Sequence, residues 1–216
     1  VKRAAEAKME ITILAVHNEA NEEQPAVFDG KQLLSGEVRR CDNFDAADSS
    51  HPLILNREAV REIFDFAEWE VGQRPDTRVE QGGILLGRRY FDAEKGIHFA
   101  VVSKALCAAH ANASSGFLEM TRACWREMHD RKDEYNFASG EDAVIIGWFH
   151  THPNLLSCRM SDTDRNTQSL FFDGENTYAL VINPQRQLLN AFRAKGCFAA
   201  QAYLRLGVPE RTEEKR

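Results

Sequence analysis

Residues 143–149 (AVIIGWF) form an unbroken apolar run of strand length. A half-exposed strand alternates polar and apolar residues, so a continuous run of this kind is typical of a strand buried on both faces. The residues after it narrow the possibilities further. The run passes directly into His150-Thr151-His152-Pro153, and alternate residues of a strand point the same way, so a buried strand delivers two imidazoles to one side at its end.

The neighbouring sequence supplies partners for this strand. Residues 53–55 read as a short strand, and Asn56 is placed to cap a helix running to about Val71, in which Val60, Phe64, Ala67 and Val71 share a face broadened by Ile63. After a break at Pro75-Asp76, residues 83–87 (GILLG) and 97–102 (IHFAVV) read as a hairpin joined by the turn-rich segment 92–96. Residues 103–116 read as a loop rich in Ala, Ser, Asn and Gly, followed by a helix over about 119–129 and a charged stretch to Asp142. Beyond the histidines come a helix from Ser161 to about Phe172, a strand over 178–182, a turn at Asn183-Pro184-Gln185-Arg186 and a final strand to about Phe192. Residues 9–16 (MEITILAV) have the composition of an edge strand, whereas residues 17–50 are polar and acidic with no legible function.

Composition excludes several classes of partner. A net charge of −6 argues against nucleic acid, which is bound through clustered Lys and Arg that release counterions. No apolar stretch approaches the length of a membrane span, and the N-terminal residues lack a signal-like pattern, so neither membrane nor export is expected and a cytoplasmic location is. The five cysteines are odd in number and form no C-x-x-C pair, which points to reduced and mostly buried thiols. Cys158 lies close enough to Ser161 to raise the question of a thiolate near the site, but a small core or loop residue is the simpler reading.

Taken alone, H-x-H at a strand end is ordinary. The segment Ser161-Asp162-Thr163-Asp164 is equally ordinary as a helix start, with Ser161 as N-cap and acids in the first turn. Yet a carboxylate from that first turn could join His150 and His152 on one ion. Two nitrogens and one oxygen leave a fourth tetrahedral position for water, the mark of a catalytic rather than structural zinc site. A base is then needed, and Glu80 stands directly before the Gly82-Gly83 strand.

Together, Glu80 to Gly87 (EQGGILLG), Gly147 to Pro153 (GWFHTHP) and Ser161 to Gln168 (SDTDRNTQ) resemble the signature of the JAMM zinc metalloproteases of the MPN (JAB) type, over about residues 53–203. The resemblance implies an α/β fold, a cytidine-deaminase-like three-layer arrangement with a central mixed β-sheet flanked by helices. It implies one Zn2+ per chain on His150, His152 and Asp164. Glu80 takes a proton from the zinc-activated water and passes it to the leaving amine, and Ser161 donates a hydrogen bond to the oxyanion. One departure is visible: eight residues separate His152 from Ser161 where the family pattern has seven, which places the extra residue in the loop at 154–157.

The same resemblance implies a catalytic domain over 51–206, an N-terminal extension over 1–50 and a charged tail over 207–216. The expected substrate is a ubiquitin-like protein or its conjugates, cut after the C-terminal Gly, with the 103–116 loop folding over an added substrate strand. Only residues 173–177 separate the motif helix from the next strand, which implies limited linkage selectivity, and the compact form looks prokaryotic. The alternatives are a hydrolase of the same fold acting on another peptide or a carrier protein, and a non-catalytic MPN scaffold. Oligomeric state is open.

Overall fold

A computed structural model describes residues 38–43, 47–69, 79–114, 116–154 and 156–205. Among the described residues ten strands and three helices follow one another: β1 (Val38–Arg40), β2 (Asp48–Leu55), α1 (Arg57–Phe66), β3 (Gly82–Asp92), β4 (Ile97–Cys107), β5 (Asn112–Ser114), β6 (Phe117–Glu119), α2 (Arg122–Ser139), β7 (Val144–Thr151), α3 (Asp162–Phe171), β8 (Tyr178–Asn183), β9 (Leu188–Arg193) and β10 (Phe198–Arg205). Eight of the strands make one mixed sheet in the order β1-β10-β2-β4-β3-β7-β8-β9, and β5 and β6 form a separate small hairpin. The pairs β10/β2, β2/β4 and β7/β8 are parallel; the others are antiparallel.

The sheet also closes on itself. Phe198 and Ala199 of β10 pair with Arg193 and Phe192 of β9, so seven strands complete a ring from β10 through β2, β4, β3, β7 and β8 to β9. Arg193 ties this closure: its guanidinium reaches Asp48 of β2 at 3.1 Å and Glu175, before β8, at 3.0 Å.

Apolar side chains leave the central strands on both faces, which is why their sequences read as continuous runs. On one face Leu53, Leu55, Leu85, Ala100, Phe149, Leu180 and Ile182 pack with Val60 and Ile63 of α1. On the other, Ile84, Leu86 and Leu106 pack with Cys124 and Met128 of α2, while Trp148, Ala179 and Val181 pack with Met160 and Phe172 on either side of α3. Gly147 is needed where β7 meets β8, because a Cβ there would lie 1.9 Å from the Tyr178 carbonyl oxygen.

Several local expectations change. The hairpin strands are 11 residues each rather than five or six. Residues 103–107, expected in a loop, continue β4, because β3 hydrogen-bonds along that whole length and outweighs the weak strand propensity of Ser, Lys and Ala. The rest of that loop holds β5, which pairs with β6 just beyond it. Helix α2 runs ten residues past its expected end to Ser139, where Gly140 caps it at φ 69°; its charged second half is solvated surface, not a break. Strand β10 follows the strand that was expected to be last. Residues 38–40 and 48–50, expected in an extension, belong to the sheet. The edge strand expected over 9–16, Val71 and the tail lie outside the described residues.

Candidate metal centre

Strands β3 and β7 set the centre. Their antiparallel register pairs Gly82 with His150, and it continues one step further as Thr151 N–H donates to the Gln81 carbonyl at 2.7 Å while Gln81 N–H donates to Thr151 Oγ1 at 2.8 Å. This places Glu80 opposite His152. By the period of two, Glu80, His150 and His152 share one side of the sheet. Gly82 keeps that side open: a Cβ would meet Leu118 Cδ2 and the Phe149 carbonyl at 2.5 Å each, and His150 Cβ at 3.2 Å.

Helix α3 brings the third group. Ser161 caps it as the sequence predicts, Oγ accepting from Asp164 N–H at 3.2 Å, while Asp164 Oδ2 accepts from Ser161 N–H at 2.7 Å. This reciprocal capping box fixes the Asp164 carboxylate at the helix start. His150 Nε2 lies 3.1 Å from Asp164 Oδ1, and His152 Nε2 lies 3.3 Å from Oδ2. The two Nε2 atoms are 3.0 Å apart.

These spacings suit a metal. A tetrahedral zinc with bonds of about 2.0–2.1 Å holds its donors about 3.3 Å apart. His152 Nδ1 lies 2.6 Å from the Ser157 carbonyl, a contact that requires Nδ1–H as donor and leaves Nε2 of the neutral ring as a lone pair toward the centre. Among the described residues His150, His152 and Asp164 are the one group of three or more such side chains able to hold an ion, and all three are buried.

Burial governs the electrostatics. It is the main cause that, against His152 and with Asp164, raises the Glu80 carboxyl to about 7. Burial would also raise Asp164, but hydrogen bonds with His150 and His152 overcome it and hold the carboxyl far below the usual range. His150, fully enclosed, is driven toward the neutral ring by burial. For His152 burial acts the same way but is outweighed by Asp164 and the Ser157 carbonyl, so its value rises.

The longer loop between His152 and Ser161 does not displace Asp164. Asn154 takes a positive φ of 62°, and side chains from the β8–β9 hairpin hold the loop. Asn183 Nδ2 donates to the Asn154 and Leu156 carbonyls at 3.0 and 2.8 Å, Gln185 Oε1 accepts from Asn154 N–H at 3.0 Å, and Asn190 Nδ2 donates to the Cys158 carbonyl at 2.9 Å. Cys158 itself is buried among Trp148, Met160 and Cys197, its Sγ directed to the Leu188 carbonyl at 3.5 Å, so it is a core residue rather than a member of the metal group.

Sequence reasoning misses these asparagines, which carry no motif. It also misses the β5–β6 hairpin as a wall of the site, where Glu80 N–H donates to the Ser114 carbonyl at 2.7 Å. The remaining histidines of the described chain stand apart from the centre; His51 and His98 stack on each other at 5.5 Å.

No family model matches this sequence. Over 61 residues the chain is 34% identical to the 26S proteasome non-ATPase regulatory subunit 14 of Dictyostelium discoideum, and equally to the 26S proteasome regulatory subunit RPN11 of Candida glabrata. The matched stretch covers 26% of this chain and only 20% of either relative.

Proposed function

We propose that this chain is a JAMM-type zinc isopeptidase with an MPN-like domain, which cuts after the C-terminal Gly of a ubiquitin-like protein or its conjugates. The observation that carries the reading is the convergence of His150, His152 and Asp164 through atoms 3.0–3.3 Å apart, with the buried Glu80 electrostatically coupled to His152 and Asp164. The partial similarity to two proteasome subunits supports the family. The prokaryotic type and the cytoplasmic location belong to the same proposal; among the described residues no helix is long and apolar enough to cross a membrane.

His150, His152 and Asp164 would hold the metal, which when bound supplies Lewis acidity and lowers the pKa of water from about 15.7 toward about 7. Glu80, whose carboxyl burial brings to about 7, can accept a proton from water and return it to the departing amine without a large energetic mismatch at neutral pH. Ser161 Oγ already accepts from Asp164 N–H, so its hydroxyl proton is the one to point at a developing oxyanion. Loss of such a donor typically costs about 10²- to 10³-fold in rate. The β5–β6 hairpin beside Glu80 offers strand backbone along which an extended substrate tail can pair.

The test combines metal content with cleavage. Purified protein should carry close to one zinc per chain and release a fusion partner from the C-terminal Gly of a ubiquitin-like protein, while Glu80→Gln keeps the metal and loses the activity. Zinc retained in full by His150→Ala and Asp164→Ala would sink the metal assignment. Cleavage surviving in Glu80→Gln would sink the role of the base. Zinc binding with turnover of short peptides alone would instead favour a hydrolase of another peptide substrate, and zinc-free wild type would favour a scaffold.

A further inference from the structure

His150 differs from its partner in how its ring is held. A histidine that binds a metal through one nitrogen usually donates the other N–H to a carboxylate, carbonyl or water, which sets tautomer and orientation. His152 does so through the Ser157 carbonyl, but the buried Nδ1 of His150 has no hydrogen-bond partner among the described residues. Something else must aim this ring.

The indole of Trp148 lies flat against it, centroids 4.5 Å apart and planes within 10°. Trp148 is itself fixed. Its Nε1–H donates to Gln168 Oε1 at 2.7 Å in a fully buried contact, and the Phe172 ring stacks on it at 6.0 Å and 13°. Gln168 is pinned in turn, its Nε2 donating to the Phe172 carbonyl at 2.9 Å and reaching Thr177 Oγ1 at 3.4 Å. Gln168 also stands one helical turn after Asp164, and these two are the buried residues of α3. One face of one helix therefore carries the third metal-binding side chain and the brace for the first.

We propose that Trp148 and Gln168 are positioning residues for the metal centre: the pair clamps the His150 ring by stacking, in place of the hydrogen bond that Nδ1 lacks, and locks the distance between β7 and α3 at which His150 and Asp164 meet. The inference rests on the metal reading of the proposed function. It differs from simple core packing in one respect. Core packing predicts a less stable protein with an unchanged site, whereas a clamp predicts a changed site in a protein that is still folded.

The experiment measures zinc affinity by chelator competition and the visible spectrum of the cobalt-substituted protein, for Trp148→Leu, Trp148→Phe and Gln168→Met, each below its unfolding temperature. Trp148→Leu removes the stacked ring and should weaken zinc by about 10- to 100-fold, the usual range for losing an outer support of a ligand, with a shifted cobalt spectrum. Trp148→Phe keeps an aromatic face and should restore most of that loss. Gln168→Met removes the acceptor that pins the indole and should weaken zinc in the same direction. Wild-type affinity and spectrum in a folded Trp148→Leu overturn the proposal; should that variant fail to fold, unchanged affinity in Gln168→Met does so. A wild-type protein that binds no zinc overturns the metal reading and the clamp with it, an outcome distinct from zinc-binding variants that match wild type.

Discussion

Single side chains in this fold owe their chemistry to what surrounds them. Cys107 and Cys158 illustrate the negative case: burial pushes both thiols up to about 12, so at neutral pH neither holds the thiolate that reacts or binds metal. Native protein at pH 8 should therefore leave both unmodified by iodoacetamide for far longer than unfolded protein, as read by mass spectrometry of peptides. Rapid labelling of Cys158 in the folded state would reopen a role for it near the His150, His152 and Asp164 cluster. Gly82 is the opposite case, a residue whose value is the absence of a side chain. Gly82→Ala must displace Leu118 and also push back the Phe149 carbonyl, spreading β3 from β7 beside His150; overpacking of this kind costs about 1–3 kcal/mol. Both stability and zinc affinity should fall. A stable variant with wild-type affinity would mean that β3 and β7 take up the added methyl group without moving His150.

At the scale of elements, the helix caps separate stability from function. Thr121 caps α2 by accepting from Cys124 N–H at 3.3 Å, and Ser161 caps α3 in the same manner. Either change to Ala should cost about 1 kcal/mol of stability. Only Ser161→Ala should also weaken zinc, because its cap fixes the acid that reaches the histidines. Equal zinc affinity in the two variants, measured alongside denaturant unfolding, would show that Asp164 is aimed by the rest of the helix. The caps also bear on what the sequence discloses. Ser161 and the run 143–149 are local signals, and they place α3 and β7 correctly, whereas the end of α2 at Gly140 is missed because its solvated second half carries no apolar stripe. The cluster that could hold a metal is readable for the same reason: His150 and His152 sit two apart at the end of one strand, and Asp164 sits in the first turn of the helix after it. Residues 103–107 and β10 are different, since small and polar residues become strands there only through partners far away in the chain. Trp148 is read from sequence as plain core, because its stacking on His150 and its bond to Gln168 exist only once β7 and α3 have met.

The molecule as a whole keeps at least one group that folding would do better without. Closing the sheet and covering it with helices encloses the site, leaving Glu80 only 7% exposed, and burial lifts its carboxyl from 4.5 to about 7. Between those values the folded protein binds more protons at this group than the unfolded chain does. The free energy of unfolding therefore falls as pH rises through that window, and above about 7 the full cost of burying the charge is present. At about 1.36 kcal/mol per pH unit, the cost is on the order of 3 kcal/mol. Glu80→Gln keeps the shape and removes the titration. With metal stripped by a chelator, the variant and wild type should unfold at similar temperatures near pH 4, where Glu80 is protonated in both states. At pH 8 the variant should be the more stable, while it is inactive at every pH once zinc is restored. Such a trade of stability for activity is expected of a residue retained for catalysis. A stability difference that stays the same from pH 4 to pH 8 would mean that Glu80 is solvated in the folded protein, and would remove the physical reason for assigning it as the base.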